Sequence, residues 1–253
     1  MLKTPLNQTY KMQKTFLEYP NVKSTYDLLT ERSTNSPWNK RPDGYTYPWG
    51  RRYDYAVLTE LLGDRVVGGK IADLGARDGF FGSYLSERCD VVHISDYFEE
   101  WGKGTDHDLG DLEKWSTIWK DMATNPDRIV CESQDITSLT YEDNSFDIVI
   151  CTSVIEHIRD KDQAGMAEIV RICKPGGLIA MSTDMSDINK WHSGTFYYNE
   201  ESIYDRLIIP HPVRIMGRSN FEIDHADNDQ IDYINHEGLQ AKTVAVVFCL
   251  EKH

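Results

Sequence analysis

Two rhythms of apolar residues run along this chain. Between Tyr53 and Leu62 the positions Ala56, Val57, Leu58, Leu61 and Leu62 recur at helical spacing. Gly63 stops that helix, and Gly68-Gly69 ends the connection after it. Short apolar runs then alternate with helical stretches. Lys70–Leu74 reads as a strand, Gly79–Arg88 as a helix, and Asp90–Ser95, Arg128–Glu132 and Phe146–Thr152 as three further strands. A helix over Asp160–Cys173 breaks at Lys174-Pro175-Gly176-Gly177, and Leu178–Thr183 follows as the fifth strand. Such alternation predicts a parallel sheet built from right-handed crossovers, that is, a doubly wound α/β fold.

Two segments depart from the rhythm. Residues 97–128 form an insertion with a helix near Leu112–Met122. After the fifth strand come a helix around Glu200–Ile208 and two late strands, near Val213–Gly217 and Lys242–Glu251. The second of these is continuously apolar and is therefore a buried strand. Residues 1–50 are polar and weakly periodic, and read as a helical extension or lid with two short helices. Residues 51–253 then make up one α/β domain, a size at which a single core is expected.

Charge narrows the partners. Forty-one acidic residues against twenty-seven basic ones leave a formal charge of −14. That field opposes a phosphate backbone, and the short basic pairs Lys40-Arg41 and Arg51-Arg52 do not offset it, so no nucleic-acid partner is expected. The five cysteines are scattered and form no C-x-x-C pair, which fits reduced thiols in a cytoplasmic protein. No apolar run approaches bilayer length and the first ten residues lack a signal-like stretch, so no membrane association is expected.

The densest chemical signal is Asp73-Leu74-Gly75-Ala76-Arg77-Asp78-Gly79, the turn leaving the first strand for a helix. Ligands bind there in doubly wound folds, because glycine lets backbone approach the ligand and the helix start offers free N–H groups. The dinucleotide pattern G-x-G-x-x-G fails, since Arg77 and Phe80 hold its second and third glycine positions. The pattern D-x-G-x-G-x-G fits at Asp73, Gly75 and Gly79, with Arg77 in place of the middle glycine. Further acids, Asp96 and Asp135, close the next two strands; a carboxylate in the first of these positions can accept hydrogen bonds from ribose hydroxyls.

On these residues, over roughly 52–183 and the late strands, the chain resembles the class I, Rossmann-like S-adenosylmethionine-dependent methyltransferases. The resemblance implies a mostly parallel seven-stranded sheet with helices on both faces and the last strand antiparallel. Its cofactor would be S-adenosyl-L-methionine, with S-adenosyl-L-homocysteine as product. Asp73 would lie near the methionine amino group, and Gly75, Ala76, Arg77 and Gly79 would line the methionine part. Arg77 would either point outward or meet the cofactor's carboxylate. Asp96, with Tyr97 beside it, would hold the ribose, Asp135 would accept the adenine amine, and Ile136 would pack on the ring.

The segment Phe146-Asp147-Ile148-Val149 leading to Glu156-His157 is similar to the fourth motif of that family. Thr152 and Ser153 would flank the sulfonium and its methyl. His157, with Glu156, is the candidate catalytic pair: an imidazole titrates near neutrality and suits a general base, while the same pair in relatives also serves only to order the loop. The metal-binding form E-x-x-E-H is broken by Ser153, so no metal is expected.

The acceptor would be met by Tyr45-Thr46-Tyr47-Pro48-Trp49 and by residues 191–198. Aromatic and polar groups interleave in both, as suits a small polar acceptor such as a saccharide. A peptide acceptor, or a cofactor-binding module without activity, are the competing expectations.

Overall fold

The computed structural model describes residues 10–11, 19–33, 49–77, 79–98, 111–158, 160–192, 194–217, 221 and 243–253. In chain order these contain β1 (Tyr10–Lys11), α1 (Pro20–Ser33), α2 (Trp49–Leu62), β2 (Lys70–Leu74), α3 (Phe80–Leu85), β3 (Val91–Asp96), α4 (Leu112–Met122), β4 (Ile129–Ser133), β5 (Phe146–Thr152), α5 (Asp162–Ile172), β6 (Cys173–Ser186), β7 (Lys190–His192), β8 (Thr195–Tyr197), α6 (Glu200–Ile203), β9 (Val213–Ile215) and β10 (Thr243–Lys252).

The main sheet runs β1-β10-β6-β5-β2-β3-β4, with β9 also paired to β10. Strands β4, β3, β2, β5 and β6 are mutually parallel. β10 lies antiparallel to β6 from Thr243 opposite Ser186 to Glu251 opposite Leu178. β9 is antiparallel to β10 in turn, and so points the same way as the parallel five. This is the expected seven-stranded sheet with one reversed strand. An eighth strand, β1, has no counterpart in the hydropathy pattern; it pairs beside β9 on the same edge of β10, Tyr10 opposite Val247.

Composition explains which strands sit inside. β5 buries every residue except Asp147, as a strand covered on both faces must. β4, at the far edge, leaves Val130 and Ser133 exposed. Right-handed crossovers fix the layers: β2-α3-β3-α4-β4 steps one way across the sheet and β5-α5-β6 the other, so α3 and α4 cover one face and α5 the opposite one. Tyr55 of α2 stacks on Phe81 of α3 with centroids 4.5 Å apart, and α1 lies against α2.

The Pro-Gly-Gly break behaves differently from the expected helix-to-strand loop. Pairing begins at once, Cys173 opposite Phe146, then shifts and resumes with Leu178 opposite Ile148. Residues 174–177 bulge outward within β6, and the Asp147 carboxylate fills the irregularity. It accepts the Lys70 N–H at 2.9 Å and the Lys174 ammonium at 2.7 Å.

Candidate active site

Strand order reverses between β2 and β5, and the crevice at such a switch point lies beyond the C-terminal strand ends. The turn leaving β2 occupies it. Gly75, Arg77 and Gly79 have φ of 63°, 49° and 61°, so every second residue is left-handed. At Gly75 a Cβ would come within 2.5 Å of Val154, and at Gly79 within 2.2 Å of the Trp119 indole, which leaves glycine alone able to fit. Arg77 takes the same conformation with a side chain attached. Its N–H donates to Asp96 Oδ2 at 2.7 Å, a charge-assisted bond that offsets the strain. Asp96 Oδ1 accepts the Tyr97 N–H at 2.7 Å, and Ala76 donates to the Ser95 carbonyl at 2.9 Å. Asp96 thus joins the turn after β2 to the end of β3. Burial pushes its carboxyl above the usual range, against the pull of these two donors.

Asp73 is buried, and its Oδ2 accepts the Gly82 N–H at 2.9 Å, fixing the first turn of α3 to β2. Asp135 stands just past β4, where its Oδ1 takes both the N–H and the hydroxyl of Thr137, at 2.8 and 2.7 Å, in a local turn. Ile136 is buried and lies toward Gly165 of α5.

Across the crevice, Thr152 ends β5 and Ser153 follows with φ of 46°. Both are buried, and the Ser153 N–H donates to the Ser182 carbonyl at 2.9 Å. Glu156 and His157 share one helical turn and diverge. Glu156 is fully buried and accepts the Thr183 hydroxyl at 3.3 Å. The His157 ring is partly exposed, and its Nδ1 lies 3.0 Å from the carbonyl of Gly194, at the tip of the β7–β8 hairpin. A carbonyl only accepts, so Nδ1 carries a proton, and in the neutral ring Nε2 is then the acceptor. Of the aromatic acceptor segments, residues 45–48 lie outside the described residues. Trp191 and Phe196 pair across the hairpin, and Tyr197 and Tyr198 are buried beneath it. Burial, with the Asp184 charge, pushes the Tyr197 hydroxyl up to about 12.

Inspection of the sequence missed two features. Trp119 of α4 reaches the glycine turn from the insertion, where the only signal was an apolar position on a helix. Asp162, at the start of α5, pairs with Arg206 and accepts the Tyr198 hydroxyl at 3.0 Å; residues so far apart in sequence carried no signal at all. Among the described residues no cluster of three His, Cys, Asp or Glu side chains could hold a metal, and no helix is long and apolar enough to cross a membrane.

A family model described as "Methyltransferase domain" matches residues 72–181, the span from β2 through the first half of β6 that contains this crevice. This match supports a class I S-adenosylmethionine-dependent methyltransferase. Its relatives agree. A ubiquinone/menaquinone biosynthesis C-methyltransferase from Stenotrophomonas maltophilia is 27% identical over 239 residues, covering 83% of each chain. A putative S-adenosylmethionine-dependent methyltransferase from Listeria monocytogenes superposes with a TM-score of 0.55 at 14% identity, over 79% of this chain and 98% of that one. The [4+2]-cyclase SpnF superposes with a TM-score of 0.56 at 14% identity, over 97% and 98%; at such identity the likeness is one of fold. The cofactor of this methyltransferase is S-adenosyl-L-methionine.

Proposed function

We propose that this methyltransferase transfers a methyl group to a small polar acceptor, a saccharide hydroxyl being the leading candidate, with His157 as general base. The observation that carries this reading is the Gly194 carbonyl bound to His157 Nδ1, which fixes the tautomer whose Nε2 can take a proton. An alkyl hydroxyl is a poor nucleophile until it loses its proton, so such an acceptor needs that help. Glu156, buried on Thr183, is a positioning residue for this loop.

The residues around the glycine turn suit the cofactor. Asp96 has lone pairs left for ribose hydroxyls after its two amide bonds. Asp73, Gly75, Ala76, Arg77 and Gly79 line the methionine part, and Tyr97 supports Asp96. Ile136 packs on the adenine and Asp135 takes its amine through the oxygen its turn leaves over. Thr152 and Ser153 border the reacting centre. S-adenosylmethionine supplies a methyl already activated on a sulfonium, so the protein's share is alignment, exclusion of water and removal of one proton. The acidic balance of the chain favours an uncharged or cationic acceptor over nucleic acid, and the reading keeps the protein cytoplasmic.

A second reading, transfer to carbon, is favoured by the 27% identity to a C-methyltransferase. Assays with methyl-labelled cofactor on saccharide and quinone-precursor panels separate the two, because the product spectrum distinguishes an O-methyl from a C-methyl group. His157→Gln is expected to lower kcat on the true acceptor about a hundredfold while cofactor affinity holds. Unchanged turnover would remove the base assignment.

A further inference from the structure

Trp119 belongs to the insertion between β3 and β4, outside every motif of the glycine turn. It is fully buried, with Phe98 and Trp115 at centroid distances of 5.9 and 6.4 Å. Its own carbonyl accepts the Ser83 hydroxyl at 2.8 Å, which bolts α4 to α3. Helical side chains lean toward the N-terminus of their helix, so the indole rises from the penultimate turn of α4 toward the crevice. It arrives at Gly79: a Cβ there would stand 2.2 Å from its Cδ1 and 2.4 Å from its Nε1.

The indole N–H thus lies against the last glycine of the turn, and Nε1 finds no hydrogen-bond acceptor among the described residues. Buried indole N–H groups ordinarily find one, because leaving the donor dry forfeits its hydration without return. Phenylalanine would fill most of the same space without that cost. A fully buried donor that has no acceptor among the described residues, seated on the turn read as the cofactor site, therefore points to an acceptor that arrives with the ligand.

We propose that the Trp119 indole N–H is a cofactor-binding group, donating to an oxygen of S-adenosylmethionine held at residues 75–79. The inference rests on the reading that this turn holds the cofactor. Two kinds of oxygen on that molecule can accept: the carboxylate of its methionine part and the ribose hydroxyls.

Calorimetric titration of wild type, Trp119→Phe and Asp96→Asn tests it, using S-adenosylmethionine, S-adenosylhomocysteine and 5′-methylthioadenosine, which keeps the ribose and lacks the carboxylate. Trp119→Phe is expected to weaken the first two ligands roughly tenfold, the loss of one hydrogen bond to a charged or strongly polar acceptor. The melting temperature of the ligand-free variant should hold or rise, since a dry donor has been removed. Methylthioadenosine spared identifies the carboxylate; methylthioadenosine weakened equally identifies the ribose.

In wild type, the indole N–H resonance that contacts the Gly79 α-protons should shift downfield on saturation with S-adenosylhomocysteine. That measurement carries the test even if the variant fails to fold. Affinity within twofold of wild type, or an unmoved resonance, overturns the proposal. If Asp96→Asn weakens binding and Trp119→Phe does not, only this inference fails. Wild type without affinity for the cofactor, or Asp96→Asn without effect, overturns the reading of the turn and this inference with it.

Discussion

Arg77 holds a backbone conformation that costs a side chain about 1–2 kcal/mol, and Asp96 secures it from the neighbouring strand. The arginine that departs from the glycine pattern therefore preserves the shape of the turn. Arg77→Gly is expected to raise stability in urea denaturation by up to about 1 kcal/mol and to leave cofactor affinity within a few-fold; a large loss of affinity would assign the guanidinium to the ligand. Gly79 has no such latitude. Gly79→Ala adds a left-handed penalty to a collision with the indole, and should cost about 3 kcal/mol by the same measurement. At this scale the sequence was informative wherever a residue type is diagnostic of backbone: glycines at a turn, acids at strand ends. It was silent on Trp119, because an aromatic residue on an amphipathic helix looks the same whether it meets core or site.

Among elements, α5 is tied to the segment after β8. The Arg206 guanidinium grips both oxygens of Asp162, and the Tyr198 hydroxyl donates to one of them. Burial alone would raise the Asp162 carboxyl, but Arg206 outweighs it and holds the group below its ordinary value. A carboxyl lowered on folding adds stability above its unfolded value near 3.9, and that stability drains away as pH falls through the lower folded value. Wild type should therefore lose stability progressively below about pH 4, and Asp162→Asn should show a shallower acid limb in the same titration. Arg206→Met strands a carboxylate with 6% of its side chain exposed and is expected to cost about 3 kcal/mol at pH 7. Long, strongly periodic elements were readable in advance; α4 spans the expected Leu112–Met122. The hairpin of β7 and β8 escaped notice, since three-residue strands give alternation too little length to show. The bulge in β6 escaped because Lys-Pro-Gly-Gly signals an interruption without saying that pairing starts before it.

For the molecule as a whole, the charge of −14 sets a repulsive background on which the crevice must assemble. Screening should relieve it: the melting temperature is expected to rise by a few degrees between 0.02 and 0.3 M sodium chloride, and a fall would mean that local ion pairs outweigh the net field. The layered architecture was legible because each strand-helix step leaves its own apolar signature. The lateral order of strands follows from crossover handedness, which no single segment displays. That order has a consequence for biosynthesis. β10 is made well after β6, yet its place is inside the sheet, with β6 on one side and β1 and β9 on the other. Until it emerges, the nascent chain carries an open, apolar flank along β6, a template for pairing with another chain. A chaperone that shields this flank during translation, or a brief pause before its release, would govern the yield of native enzyme more than any residue of the crevice.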